Sequence, residues 1–277
     1  MFSKSTFLSL SALAASASAS CLYGTSAFER RAGAAKYTYG GENGPLTWGL
    51  IDSANSACLN STRQSPIAID STVPFADSKP VVNVPTVEGA PIHNAGTVSV
   101  TYMVNGTTTF NGNNYNLVQT HFHTPSEHRL FEEYSPLEMH MVHQGADGSY
   151  VVLGVLFELS ETGENTPLLS SVLPENSNNS TTGRLDFAPV AEAFQKESAF
   201  QYTGSLTAPP CTEGITFVIL SKTMPMDVHT FNSFKKMLKF NSRYVQNALG
   251  SPNILELVAN HVCGNKEEES RLLKLNL

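Results

Sequence analysis

The fold prediction for this chain starts from the stretch Gln119-Thr120-His121-Phe122-His123-Thr124, which is predicted to be a β-strand. Side chains two residues apart on a β-strand point to the same face. As a strand, it carries Gln119, His121 and His123 on one face, with the two imidazoles about 6–7 Å apart along the strand. That separation lets both rings bind the same metal ion.

A second stretch, Glu138-Met139-His140-Met141-Val142-His143, is also predicted to be a β-strand. Glu138 and His140 share one face of this predicted strand. If the two strands are neighbours, His140 adds a third imidazole to those of the first strand. Three neutral imidazoles with an open fourth position are typical of a catalytic zinc site and not of a closed structural one.

Two polar residues beside the candidate ligands support the metal hypothesis. A metal-bound His usually donates its other ring N–H to an acceptor. Gln119 precedes His121 by two residues and Glu138 precedes His140 by two, so we expect both to be such acceptors. The alternative is a strand pair with buried, hydrogen-bonded histidines, which leaves the polar inward faces unexplained. Among the other histidines, we expect His128 and His143 in the core and His229 and His261 at the surface.

Most of the remaining chain is predicted to be β. Short segments rich in Val, Thr, Phe and Tyr and bounded by Gly, Pro or Asn are typical strands. The predicted strands are 97–102, 115–124, 138–143, 150–159 and 214–220. Helical patterns occur at 188–196 and 227–239, and the Asn- and Ser-rich stretch 175–183 is predicted to be a loop. The pattern predicts a β-dominated α+β single domain with peripheral helices.

The composition of the 277-residue chain excludes two broad classes. Apolar residues make up 41% of it, enough for a core, so general disorder is excluded. Only 15% of residues are charged, with 24 acidic against 17 basic ones and a net charge of −7. Because binding to phosphates needs clustered Lys and Arg, we expect no nucleic acid partner.

The N-terminus has the pattern of a secretory signal peptide. Lys4 is followed by a short apolar centre at 8–15 and a run of Ser and Ala at 16–20. This pattern predicts a signal peptide over 1–20 and a secreted, extracellular protein. The apolar stretch is too short and too rich in Ser for a membrane anchor, and no other segment predicts a span. Residues 21–31, which end in a pair of arginines, are either a propeptide or a flexible tail.

Cysteines and glycosylation sequons agree with export. The four cysteines, at 21, 58, 211 and 263, form no CxxC pair, and disulfides are the default in an oxidising compartment. Cys21 and Cys263 either bridge each other or, if Cys21 is cleaved off, Cys263 links two chains as a homodimer. Acceptor sequons predict a glycoprotein modified at Asn60, Asn105, Asn178 and Asn179.

A series of motifs in order resembles the secreted α-class carbonic anhydrases. The motifs are Tyr39-Gly-Gly-Glu-Asn-Gly-Pro-Leu-Thr-Trp48, Arg63-Gln-Ser-Pro-Ile67, His121-Phe-His123, Ser126-Glu-His128, 138–143, Val152-Leu-Gly154, 204–211 and Asn241-Ser-Arg243. The resemblance implies one catalytic domain over 32–277, built on a twisted, mainly antiparallel sheet of about ten strands. It also implies reversible hydration of carbon dioxide to bicarbonate and a proton by zinc-bound hydroxide, with a side activity on activated esters.

The resemblance also assigns residues to roles. It makes His121, His123 and His140 the zinc ligands, with Gln119 and Glu138 behind them. Thr207 would orient the hydroxide and Glu127 would accept the Thr207 proton, while Tyr39 would belong to a water network. The implied carbon dioxide pocket is Val142, Val152, Leu206 and Phe217. The implied disulfide is Cys58–Cys211, and the implied cis peptide bonds are Ser65–Pro66 and Pro209–Pro210.

The resemblance leaves proton release open, because Gly96 stands where many members have a proton-shuttle histidine. His93, three residues upstream, either takes over that task or is an unrelated surface residue. We expect turnover to depend strongly on external buffer. Two other readings are disfavoured: a non-enzymatic binding module on this fold typically lacks ligand histidines, and an unrelated zinc hydrolase would carry a motif such as HExxH.

Overall fold

The computed structural model describes residues 37–94, 100–173 and 181–261. This part of the chain contains fifteen strands: β1 (Ala68–Ile69), β2 (Val81–Asn83), β3 (Val87–Glu88), β4 (Ile92–Asn94), β5 (Val100–Tyr102), β6 (Thr107–Phe110), β7 (Asn113–His123), β8 (Arg129–Leu130), β9 (Glu133–Tyr134), β10 (Leu137–Gly145), β11 (Tyr150–Leu159), β12 (Arg184–Leu185), β13 (Ala199–Ser205), β14 (Glu213–Leu220) and β15 (Met224–Met226). Its α-helices are α1 (Trp48–Ile51), α2 (Ala57–Asn60), α3 (Pro167–Val172), α4 (Ala188–Lys196) and α5 (Val228–Leu238), with 3-10 turns at Gly41–Asn43 and Ser53–Asn55. Residues 254–261 are also helical.

Ten of these strands form one curled, mixed sheet. Its main order is β13-β14-β11-β10-β7-β5-β4, while β15 pairs with β11 and β6 joins β2 to β7. All pairs are antiparallel except those of β11 with β14 and with β15. The predicted β-dominated fold, with a mainly antiparallel sheet and peripheral helices, is therefore confirmed.

The main core lies between one face of this sheet and the helices. Phe122 of β7 packs against Phe234 of α5, with 4.9 Å between ring centroids, and both side chains are buried. Helix α5 begins where Asp227 accepts a hydrogen bond from the backbone N–H of Thr230 (2.8 Å), which is an N-cap contact. Both predicted helices are present, and α4 has the predicted bounds. Of the helices that were not predicted, α1, α2 and α3 have four to six residues, too few to show helical periodicity, and the fourth lies at 254–261.

A disulfide between Cys58 and Cys211 ties α2 to the segment that follows β13. Its pairing confirms the one implied by the resemblance, and it closes a sequence separation of 153 residues. Trp48 packs beside the disulfide in a small buried cluster. Ser65–Pro66 and Pro209–Pro210 are cis as implied, and Thr124–Pro125 is cis as well.

Several predictions made from the termini and loops fall outside the described residues. These are the signal peptide, the 21–31 segment, Cys21, Cys263, Asn178 and Asn179, and the first residues of the strand predicted at 97–102. Asn60 and Asn105 are exposed, as acceptor sites must be. In the described ranges, no helix has the length and hydropathy that crossing a membrane requires.

His143 is a buried hydrogen-bonded residue of β10, as predicted. Its Nδ1–H donates to the Met141 carbonyl (2.9 Å), so its Nε2 accepts from the Thr108 hydroxyl (2.9 Å). His128 is likewise buried and hydrogen-bonded. His229 and His261 are exposed.

The buried ring of His143 should destabilise the protein in acid. Burial lowers its pKa from 6.5 to about 4. Between these values the unfolded chain binds more protons than the folded one, so the free energy of unfolding falls as pH falls. Between pH 7 and pH 4 the parent should lose on the order of 2–3 kcal/mol more than the His143→Gln variant in urea titrations. The exposed His229→Gln change is the control, and equal losses in parent and His143→Gln would contradict the prediction.

Candidate metal centre

Three imidazoles meet where β7 pairs with β10. The antiparallel register places His121 opposite His140, and His123 opposite Glu138. Ring centroids lie 4.9 Å (His121 to His123), 5.2 Å (His121 to His140) and 4.9 Å (His123 to His140) apart. One nitrogen from each ring lies within 4.8 Å of those of the other two. The structure thus brings together the three predicted ligands.

Each of these rings has one nitrogen held by an acceptor behind it. The bonds run from His121 Nδ1 to Gln119 Oε1 (2.8 Å), from His123 Nδ1 to the Asn241 carbonyl (2.7 Å), and from His140 Nε2 to Glu138 Oε1 (2.7 Å). An acceptor on one ring nitrogen fixes the proton there, so the other nitrogen presents a lone pair. Gln119 and Glu138 thus lie where the sequence predicted.

The electrostatics of the site favour neutral rings. Burial is the largest cause that lowers the pKa of His121, His123 and His140, and neighbouring imidazoles add to the effect on His121. Neutral imidazole is the form that binds a metal. His123 Nε2 is buried with no hydrogen-bond partner, a costly state for a polar atom. A cation at this point would satisfy it, so the donor set fits zinc.

The Glu138 carboxylate accepts four hydrogen bonds behind the triad. Its Oε1 accepts from the rings of His140 (2.7 Å) and His128 (2.6 Å), and its Oε2 accepts from the backbone N–H groups of Glu127 (2.8 Å) and His128 (2.9 Å). Burial acts to raise the pKa of Glu138, but its interactions with His128 and His140 outweigh burial and hold this pKa well below its usual range. Glu138 therefore stays a carboxylate. The role of His128 was missed, because sequence predicted its burial but not its partner.

Asn241 is hydrogen-bonded to the C-terminal end of β7, and the sequence did not predict this supporting role. Its carbonyl accepts from His123, its side-chain oxygen accepts from the Thr124 N–H (2.9 Å), and its amide donates to the Phe122 carbonyl (2.9 Å). The motif Asn241-Ser-Arg243 was its only signal. Because the contact spans 118 residues, spacing along the chain could not assign it.

Thr207 and Glu127 lie at the edge of the triad. Glu127 Oε2 is 3.4 Å from His123 Nε2, and Glu127 Oε1 accepts from the Arg243 N–H (2.9 Å). Burial raises the pKa of Glu127 to about 7, while the nearby Thr207 side chain acts to lower this pKa. Glu127 Oε2 is buried and has no hydrogen-bond partner in the described chain.

The predicted apolar pocket is built from one row of the sheet. Val142 lies opposite Val152, and Val152 opposite Phe217, so their side chains share a face. All three are buried, Leu206 packs on the same cluster, and the Phe217 ring is 5.8 Å from that of His140. Tyr39 packs on Trp48, with 5.4 Å between centroids, and its role in a water network stays a prediction.

Comparisons with known proteins agree with this geometry. The family model "Eukaryotic-type carbonic anhydrase" matches residues 43–252. The chain belongs to the eukaryotic-type carbonic anhydrase family. A fungal alpha carbonic anhydrase from Aspergillus oryzae is similar in structure, with a TM-score of 0.76, 40% identity, and coverage of 81% of this chain and 99% of that one.

Relatives outside the fungi are similar over the same region. "Alpha carbonic anhydrase 4" of Arabidopsis thaliana is 32% identical over 76% of this chain and 80% of its own length. An alpha carbonic anhydrase from Thermovibrio ammonificans, solved with the inhibitor sulfanilamide, has a TM-score of 0.68 and 30% identity over 79% of this chain and 98% of that one. Carbonic anhydrase family membership supports hydration of carbon dioxide as the reaction.

Replacing Glu138 with Gln should weaken metal binding. The Gln side chain has one N–H₂ group in place of a carboxylate oxygen, and this group cannot accept hydrogen bonds. The rings of His140 and His128 would therefore lose their fixed orientation. Zinc affinity should fall about 10–100-fold, as judged by competition with a chelator. Glu158→Gln, on the exposed end of β11, is the matched control. Unchanged affinity in Glu138→Gln would show that the buried carboxylate does not support the ligands.

Proposed function

We propose that the chain is a zinc-dependent carbonic anhydrase that interconverts carbon dioxide and bicarbonate. One observation carries the proposal: three buried imidazoles converge through the nitrogens that their acceptors leave free. His121, His123 and His140 would hold the ion. When bound by three neutral nitrogens, zinc supplies a Lewis acid that makes a nucleophile of water near pH 7.

Thr207 and Glu127 would orient the attacking oxygen. A cation beside Glu127 favours its ionised form, because an opposite charge within a few Å lowers a carboxyl pKa. As a carboxylate, Glu127 can only accept, so the Thr207 hydroxyl donates to it. The Thr207 oxygen then accepts a hydrogen bond from the attacking oxygen and sets the direction of its lone pair.

The row of Val142, Val152 and Phe217, with Leu206, would hold carbon dioxide. These side chains offer no hydrogen-bond donor, so they exclude water and bind an apolar gas weakly. Weak binding beside the nucleophile brings carbon and oxygen together without stabilising the ground state. Hydrolysis of activated esters at the same site is a corollary, since it needs the same nucleophile.

We further propose export of the protein. The charge-poor, small-residue N-terminus, the disulfide and the exposed Asn60 and Asn105 all suit an extracellular glycoprotein. In that setting Cys263 either pairs with Cys21 or links two chains.

The Thr207→Ala change tests the proposed function. It should lower kcat/KM for carbon dioxide hydration by about 10²–10³-fold while zinc content stays the same, because only an orienting hydrogen bond is lost. Thr207→Ser should keep much of the rate, and Thr203→Ala, on an exposed position of β13, is the control. Zinc-loaded parent protein without hydration activity, or activity that survives complete removal of metal, would contradict the proposal.

A further inference from the structure

A cavity of about 370 Å³ lies between the segment 39–46, the segment 240–244, Pro125 and Tyr134. This volume is within the range of small-molecule binding sites. None of the lining residues belongs to the histidine triad, to the Thr207–Glu127 pair or to the predicted carbon dioxide pocket. The proposed function therefore leaves this cavity unexplained.

The walls of the cavity are mainly apolar and aromatic. Leu46, Tyr134 and Phe240 line it although they are 65%, 46% and 54% exposed, so the cavity is open to solvent at these side chains. Tyr39 and Tyr244 line it as well. Large apolar side chains exposed around a concave surface are typical of a ligand site, because a ligand that covers them removes them from water. Aromatic walls fit a flat aromatic ring, which can pack against them face-on or edge-on.

The charge of the cavity wall favours an anionic ligand. Among the lining residues of the described chain, Arg243 is the one cation and none is Asp or Glu. Arg243 is 1% exposed, and its guanidinium donates to neutral acceptors, which are Gln64 Oε1 (3.0 Å) and the carbonyls of Ser65 (2.8 Å) and Cys58 (3.3 Å). Its Nε is buried and has no hydrogen-bond partner in the described chain. A buried cation with neutral partners is costly, and an anion close to it lowers this cost.

The guanidinium of Arg243 lies among the aromatic residues of this region. Its Cζ is 5.7 Å from the centroid of the Trp48 ring, and the centroid of the Tyr39 ring is 5.4 Å from that of Trp48. Burial lowers the pKa of Arg243 to about 10, while Tyr244, Glu127 and Tyr39 act to raise this pKa. Arg243 is therefore a cation at neutral pH, and two of the side chains that act on it, Tyr39 and Tyr244, line the cavity.

We propose that this cavity binds a small aromatic carboxylate. The ring of the ligand packs between Leu46, Tyr134 and Phe240, and its carboxylate faces the wall that contains Arg243. The positive charge of Arg243 disfavours a cationic ligand, and an aliphatic acid leaves the aromatic walls uncovered. Because the site contains no residue of the triad, the inference does not depend on zinc or on the proposed function.

The first test measures binding of benzoate by equilibrium dialysis against zinc-loaded and metal-free protein. We expect one benzoate per chain that is retained without metal, with a dissociation constant on the order of 1 mM or lower. Benzyl alcohol lacks the charge and acetate lacks the ring, so both should bind at least about five-fold more weakly. Equal affinity for either compound would contradict the proposed ligand class. Benzoate that binds only to zinc-loaded protein would belong to the metal centre and would overturn the proposal.

The second test locates the bound benzoate through Trp48, the single tryptophan of the chain. Its ring contacts Tyr39 and lies beside Arg243, which both line the cavity. Benzoate should therefore change the emission of Trp48 with the same midpoint as the dialysis curve. Benzoate that binds in dialysis without changing this emission would lie elsewhere, and this result would overturn the assignment to the cavity.

Variants of two exposed leucines test the wall directly. Leu46→Asp should weaken benzoate binding about ten-fold or more, because it places a carboxylate beside that of the ligand. Leu46→Met should keep the affinity within about two-fold, since it preserves an apolar wall. Leu50→Asp is the matched control, because Leu50 is 71% exposed and does not line the cavity, and it should bind benzoate as the parent does. Equal affinity in Leu46→Asp and the parent would overturn the proposal.

Discussion

The hydrogen bonds behind the three imidazoles are the constraint on which the rest of the site depends. A free imidazole can rotate and can carry its proton on either nitrogen, so three histidines near each other do not make a metal site. Here Gln119, the Asn241 carbonyl and Glu138 each hold one N–H, which fixes both the tautomer and the ring plane. Hydrogen bonds to a charged partner such as Glu138 contribute about 1.5–3 kcal/mol each.

The surrounding packing serves to keep these acceptors in place. Gly154 lies opposite His140, and a Cβ there would clash with Ile219 Cδ1 and reach van der Waals contact, 3.5 Å, with Glu138 Oε1, so a larger residue would have to displace Ile219 beside this carboxylate. On the other side, the Arg243 guanidinium donates to the carbonyls of Ser65 (2.8 Å) and Cys58 (3.3 Å), while its backbone N–H holds Glu127. Cys58 is disulfide-bonded to Cys211, a few residues after Thr207, so Arg243 is linked to Glu127 through its backbone N–H and to the Thr207 segment through the disulfide.

The sequence predicted contacts between residues that are close in the chain and missed contacts between residues that are far apart in it. Gln119 and Glu138 were found because each precedes its histidine by two residues on a strand, where alternation alone sets the face. Asn241 was missed as a support because the fold brings it to His123 across 118 residues. The register that places His93 opposite Thr101, and Thr101 opposite His121, was equally hidden, since strand order and register depend on the whole sheet. Resemblance supplied the disulfide and the Thr207–Glu127 pair, which no local pattern indicated.

The direct measurement is X-ray absorption at the zinc edge of the purified, zinc-loaded protein. We expect one zinc per chain with three imidazole nitrogens at about 2.0–2.1 Å and one oxygen ligand. His140→Ala should remove one imidazole from that set. A site with sulfur ligands, fewer than three imidazoles, or no retained zinc would contradict the convergence of these rings on one metal ion.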